Sequence, residues 1–98
     1  MSYKLLITPD AETQLDEAVL YYKNRASKRV ALDFLSEFKN SCQSILNVIH
    51  FQFFFDEFRA VPMRKFPFLL FYTIDENQKV IIIKAVFHTS QNPDKYPN

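Results

Sequence analysis

Hydrophobic positions keep a helical period through the first half of the chain and an alternating one through the second. Tyr3 to Ile7 is a short apolar strand that stops at Thr8-Pro9-Asp10. Thr8 suits a helix N-cap, and Pro9 suits the first helical position, where a missing N–H costs nothing. Ala11, Leu15, Ala18 and Tyr22 then recur at helical spacing and predict a helix that ends near Asn24. Ser27 caps a second helix, whose stripe runs Ala31, Phe34, Leu35, Phe38, Cys42, Ile45, Leu46 and Ile49. The short linker between the two makes them an antiparallel hairpin. Cys42 falls on the stripe and reads as a small core hydrophobe.

The period then changes. Arg59 to Pro93 reads as three consecutive antiparallel strands, the first carrying Arg59 and Arg64, the last ending at His88. Phe66, Phe68, Leu70, Tyr72 and Ile74 point one way, and Leu69, Phe71 and Thr73 the other. Asp75 to Gln78 supplies the hairpin turn without glycine. In the final strand, alternation puts Ile81, Ile83, Ala85 and Phe87 on one face and Val80, Ile82, Lys84, Val86 and His88 on the other. One face packs on the helices, and the other is left as an exposed concave surface. His50 to Glu57, HFQFFFDE, fits neither period; it lies over an edge of the core or awaits a partner. His50 itself reads as a cation or cap at the helix end, and Asp56-Glu57 as a solvated loop.

These elements predict an α+β fold: a small antiparallel β-sheet, three C-terminal strands plus an N-terminal strand, packed on an α-helical hairpin. Residues 1–98 form a single domain, long enough to fold on one core. The chain is 48% hydrophobic and 23% charged, a globular composition. Eleven Phe and five Tyr exceed what one small core needs, so part of them is expected at the surface, where aromatic patches mark partner sites. The net charge of +1 gives no overall bias toward nucleic acid. Its distribution is uneven: the helical half is mildly acidic and the sheet half mildly basic, which suits an acidic partner for the sheet.

One cysteine excludes an intramolecular disulfide and a Cys-rich zinc site. The absence of glycine excludes phosphate-cradling Gly loops and dinucleotide fingerprints. No metal site and no cofactor are expected. The apolar runs are too short for a signal peptide or a membrane helix, so a cytoplasmic protein without membrane contact is expected.

Three features resemble one family. They are the helix-1 pattern Ala11, Leu15, Ala18, Tyr21-Tyr22; the run Arg64-Lys65-Phe66-Pro67-Phe68 leading to Tyr72; and the ending His88, Pro93, Tyr96. In this order they are similar to the RelE/ParE family of type II toxins. The family's terminal arginine is replaced here by Gln91.

The resemblance implies a toxin neutralised by a cognate protein antitoxin. Its target would be either DNA gyrase, inhibited by contact, or messenger RNA cleaved in the ribosome. Under the RNA-cleaving alternative, Arg59, Arg64, His88 and Tyr96 are the candidate catalytic residues. The arginines would hold phosphate while His88 or Tyr96 moves protons. As a binding surface, the candidates are Arg59, Arg64, Lys65, Lys84, His88 and Gln91. His88 also has a plainer role open to it, a hydrogen-bonding strand terminator that pins the tail. The low charge and the Gln91 replacement favour a ParE-like gyrase inhibitor over a ribosome-dependent endonuclease. A degenerate, non-toxic antitoxin-binding protein is the third reading.

Overall fold

The computed structural model describes residues 2–50, 53–55 and 57–97, with residues 54, 55 and 93 as backbone only. Its elements are β1 (Lys4–Ile7), α1 (Pro9–Arg25), α2 (Lys28–Asn47), β2 (Phe53–Phe55), β3 (Phe58–Pro62), β4 (Phe68–Asp75), β5 (Val80–His88) and a short 3₁₀ turn, Pro93–Lys95. The Thr8 hydroxyl accepts from the Ala11 N–H at 3.1 Å and caps α1. Ser27 does the same for α2 through the Val30 N–H. Both helix starts follow the sequence.

Among the described residues the strands form one sheet in the order β1-β5-β4-β3-β2. β3, β4 and β5 are the expected antiparallel meander on the helical hairpin. β1 joins β5 in parallel, because it enters from the side where α1 begins, so the sheet is mixed rather than wholly antiparallel. Two further differences concern β3. It ends at Pro62, which places Arg64 in the loop after the strand. It also gains an outer neighbour, β2, formed by part of the aromatic stretch that fitted neither period. Phe51, Gln52 and Asp56 lie outside the described residues; Glu57 is exposed.

The largest correction lies in β5. Phe71 pairs with Ala85 but Tyr72 pairs with Ile83, so Lys84 is one residue too many: a β-bulge. The bulge reverses the side-chain phase. Ile81, Ile83 and Val86 face the helices, while Ala85 and Phe87 face away. Strict alternation had put Ala85 and Phe87 with Ile81, and a period-two reading has no means of seeing the extra residue.

The sheet consequently carries two apolar clusters. On the helix side, Phe34, Ile45, Leu70, Tyr72, Ile81 and Ile83 are fully enclosed, each burial contributing about 1.5–3 kcal/mol. On the far side, Phe58, Phe71, Ala85 and Phe87 are buried beneath Tyr96 of the tail. The far face is therefore covered in this part, where an open concave surface was expected. It also absorbs rings that were expected outside: of the phenylalanines with described side chains, only Phe53 is an exposed large hydrophobic.

The turn joining β4 to β5 holds Lys79 in the left-handed region at φ 58°, and the Asp75 carboxylate accepts from the Gln78 N–H at 3.0 Å. Beside it, Glu76 accepts from the Tyr3 hydroxyl at 2.7 Å and meets His50 Nε2 at 2.8 Å. His50 is thus tied to the β4–β5 turn and not to the end of α2, which stops at Asn47.

Candidate functional site

β1 covers only the first part of β5. Its pairing ends with Ile7 opposite Ile83, and among the described residues no strand lies beside the remaining edge of β5. Exposed edge donors need partners, and here side chains provide them. The Val86 N–H donates to Gln14 Oε1 at 2.8 Å, and the His88 N–H donates to Gln91 Oε1 at 3.1 Å. Because Lys84 shifts the phase, Val86 and His88 are the residues whose N–H groups point outward from β4.

A cleft of about 530 Å³ opens along this edge, between α1 and the start of the tail. Ala18, Tyr22, Phe68 and Val86 lie along it, and Gln14, Glu17, Tyr21, His88, Ser90 and Gln91 supply its polar groups. An apolar floor with a few polar groups is the usual make-up of a binding site, and the volume is in the usual range. Tyr22 is fixed there by rings of Phe34, Phe66 and Phe68 at 5.3, 5.1 and 6.4 Å. Tyr21, by contrast, is an exposed ring, with the Arg25 guanidinium 5.6 Å from its centroid.

His88 belongs to this cleft and anchors the tail. Its ring stands edge-on to Phe68 at 4.9 Å. Its Nδ1 accepts from the Ser90 N–H at 3.1 Å and lies 2.7 Å from the Ser90 hydroxyl. The tail is held further by Gln91 N–H to the His88 carbonyl at 3.0 Å and Thr89 N–H to the Pro67 carbonyl at 2.9 Å.

The other candidates are dispersed. Arg59 stands opposite Tyr72 on β3 and lays its guanidinium 3.9 Å from the Phe53 ring centroid, a close cation–π contact. Arg64 and Lys65 line a separate cavity of about 300 Å³ beside Glu37, Asn40, Ser41 and Ser44 of α2. Lys65 adopts a left-handed φ of 69° and pairs with Glu37 at 3.5 Å. Lys84 lines a third cavity, about 390 Å³, with Thr8, Asp10, Gln14, Lys95 and Tyr96. Tyr96 sits on the far face, its ring 5.1 Å from Phe71 and 4.9 Å from Phe87. His88 and Gln91 come together; Arg59, Arg64, Lys84 and Tyr96 do not join them.

Sequence reasoning missed Gln14, Glu17 and the outward role of Tyr21. They lie off the apolar stripe of α1, and only the position where β1 stops gives them something to do. Cys42 behaves as its place on the stripe implies. Burial pushes its thiol up to about 11, which keeps it protonated and unreactive near neutrality.

Comparison with known proteins agrees with this architecture. The family model for the ParE toxin of the type II toxin–antitoxin system parDE matches residues 5–93. The chain belongs to the ParE toxin family. Among solved structures, a chain of the chromosomal ParDE system from P. aeruginosa superposes on it with a TM-score of 0.78 at 16% sequence identity. The match covers 91% of this chain and 98% of that one, and shows that the two share a fold. No curated protein matches the sequence. As in the sequence, no helix among the described residues is long and apolar enough to cross a membrane.

Proposed function

We propose that this ParE-family toxin acts by binding DNA gyrase and inhibiting it, and that a cognate protein antitoxin neutralises it by covering its binding surface. The observation that carries the reading is the dispersal of the candidate catalytic residues. Phosphodiester cleavage without a metal needs a base, an acid and a phosphate-holding cation converging on one phosphate. Here Arg59 is stacked on Phe53 at the β2–β3 edge, Arg64 lies by α2, and His88 and Tyr96 are on opposite faces of the sheet. Gln91, where related toxins keep an arginine, is used to hold the His88 backbone. The net charge of +1 points the same way, since binding to ribosomal RNA draws on strong phosphate neutralisation.

Two assays test this. Purified gyrase should lose supercoiling activity in the presence of the chain, and keep it when the antitoxin is added first. Growth arrest on expression should persist in His88→Ala and Arg64→Ala. Ribosome-associated cleavage of messenger RNA that disappears in those variants would establish the endonuclease alternative instead.

A further inference from the structure

The loop between β3 and β4 is fastened to the rest of the molecule. The Met63 N–H donates to the Phe68 carbonyl at 2.9 Å and closes it. Phe66 anchors it on the core, its ring 5.1 Å from those of Tyr22 and Phe34. Between these fastenings stand Arg64 and Lys65, both exposed, with Lys65 in the left-handed region that a residue with a Cβ avoids. The loop thus presents two successive cations from a fixed backbone. Opposite them, α2 offers a polar flank of Glu37, Asn40, Ser41 and Ser44, whose helical spacing puts them on one side. Ser41 stands out there. It lies on the apolar stripe between Phe38 and Ile45, yet it is the one buried polar residue among the described residues, 6% exposed. Loop and flank border the 300 Å³ cavity, and Val61 and Pro62 of β3 give it an apolar wall. It shares no lining residue with the cleft along β5.

Charge narrows what can enter. Glu37, its side chain 13% exposed, pairs with Lys65 at 3.5 Å. Arg64 has no ion pair among the described residues. Two cations and one carboxylate leave a single positive charge, which matches a monoanion. A guanidinium is a planar fork that takes a carboxylate through two parallel bonds. A phosphate monoester would bring about two negative charges and set one of them against Glu37. We propose that this cavity binds a small monocarboxylate bearing hydroxyl or amide groups, its carboxylate on Arg64. Ser41, Ser44 and Asn40 take the neutral polar groups, and Val61 and Pro62 take the carbon skeleton. The site is independent of the gyrase reading, since it uses neither the cleft nor the tail.

The test titrates the isotope-labelled full chain with gluconate, lactate and N-acetylglycine, and follows the backbone amide resonances. At least one of the three should shift Ser41, Ser44, Arg64 and Lys65 saturably while leaving His88 and Gln91 in place. Glucose, which has the hydroxyls without the charge, and inorganic phosphate should bind at least about tenfold more weakly. Arg64→Gln, at an exposed position, should weaken carboxylate binding about tenfold or more, the worth of a hydrogen bond to a charged group. Ser41→Ala should weaken it about three- to tenfold. Glu37→Gln, which leaves two positive charges, should narrow the preference for carboxylate over phosphate. No saturable shift with any of the three, or binding that ignores Arg64→Gln, overturns the site. Phosphate binding as tight as the best carboxylate overturns the ligand class.

Discussion

His88 and Tyr96, close in sequence, occupy opposite sides of the same sheet. The His88 ring meets Phe68 at 4.9 Å on the helix side, and the Tyr96 ring meets Phe87 at 4.9 Å on the far side. The tail between them wraps the end of β5, pinned on the near side by hydrogen bonds and on the far side by an aromatic ring. It is a structural part of the fold as much as an extension of it.

Removing that ring should show how much it contributes. Tyr96→Ala uncovers Phe71 and Phe87 and is expected to cost about 1–3 kcal/mol, since Tyr96 is itself partly exposed. Urea denaturation of variant and parent measures it, and an unchanged midpoint would mean that the far-side cluster holds without the tail.

Tyr72 has no exposed surface, and its hydroxyl donates to the Ile49 carbonyl at 2.8 Å, tying β4 to the residues after α2. Tyr72→Phe keeps the ring and removes that donor. The expected loss is about 0.5–1.5 kcal/mol, the usual net worth of one hydrogen bond, since the bond is only part-buried. Equilibrium unfolding checks it.

Lys79 sits at φ 58°, a region that costs a residue with a Cβ about 1–2 kcal/mol. Lys79→Gly relieves the strain and gives back part of the gain as unfolded-state entropy. A net stabilisation of up to about 1 kcal/mol is expected, read as a rise in Tm. A fall would show that the Lys79 ammonium over the Tyr3 ring, at 5.3 Å, matters more than the backbone.

Glu76 gives the molecule an acid-sensitive contact. Hydrogen bonds first from His50 and then from Tyr3 hold its carboxyl below the ordinary glutamate value. A carboxylate with a depressed folded-state value stabilises the fold above its unfolded value and loses that contribution as pH falls through the folded one. Stability should therefore decline as pH drops below the ordinary value of 4.5, and Glu76→Gln should flatten that part of the profile. Tm recorded against pH for both proteins decides it; parallel curves would remove Glu76 from the account. Both Glu76 and His50 are exposed, so the effect is small and is weakened by salt.

Much of the architecture can be read from the sequence because it is local. The Thr8 and Ser27 caps, the two helical stripes and the alternation of Phe68 to Ile74 each depend on residues a turn or two apart. What escapes is what depends on distant partners. The parallel entry of β1 is settled by where α1 leads the chain, and the short β2 by the edge that β3 leaves open. The role of Gln14 exists only because β1 stops at Ile7. Of the aromatic surplus, Tyr21 and Phe53 do lie at the surface, while a second cluster beneath Tyr96, which period-two reading could not see, takes in Phe58, Phe71 and Phe87.

Lys84 bears on which changes in chain length the protein withstands. Every other residue of β5 is part of a two-step rhythm, so losing one would put the two ends of the strand out of step. Losing Lys84 alone would turn β5 into a regular strand and leave each remaining side chain on the face it already occupies. A one-residue gap is tolerable at that position and costly on either side of it.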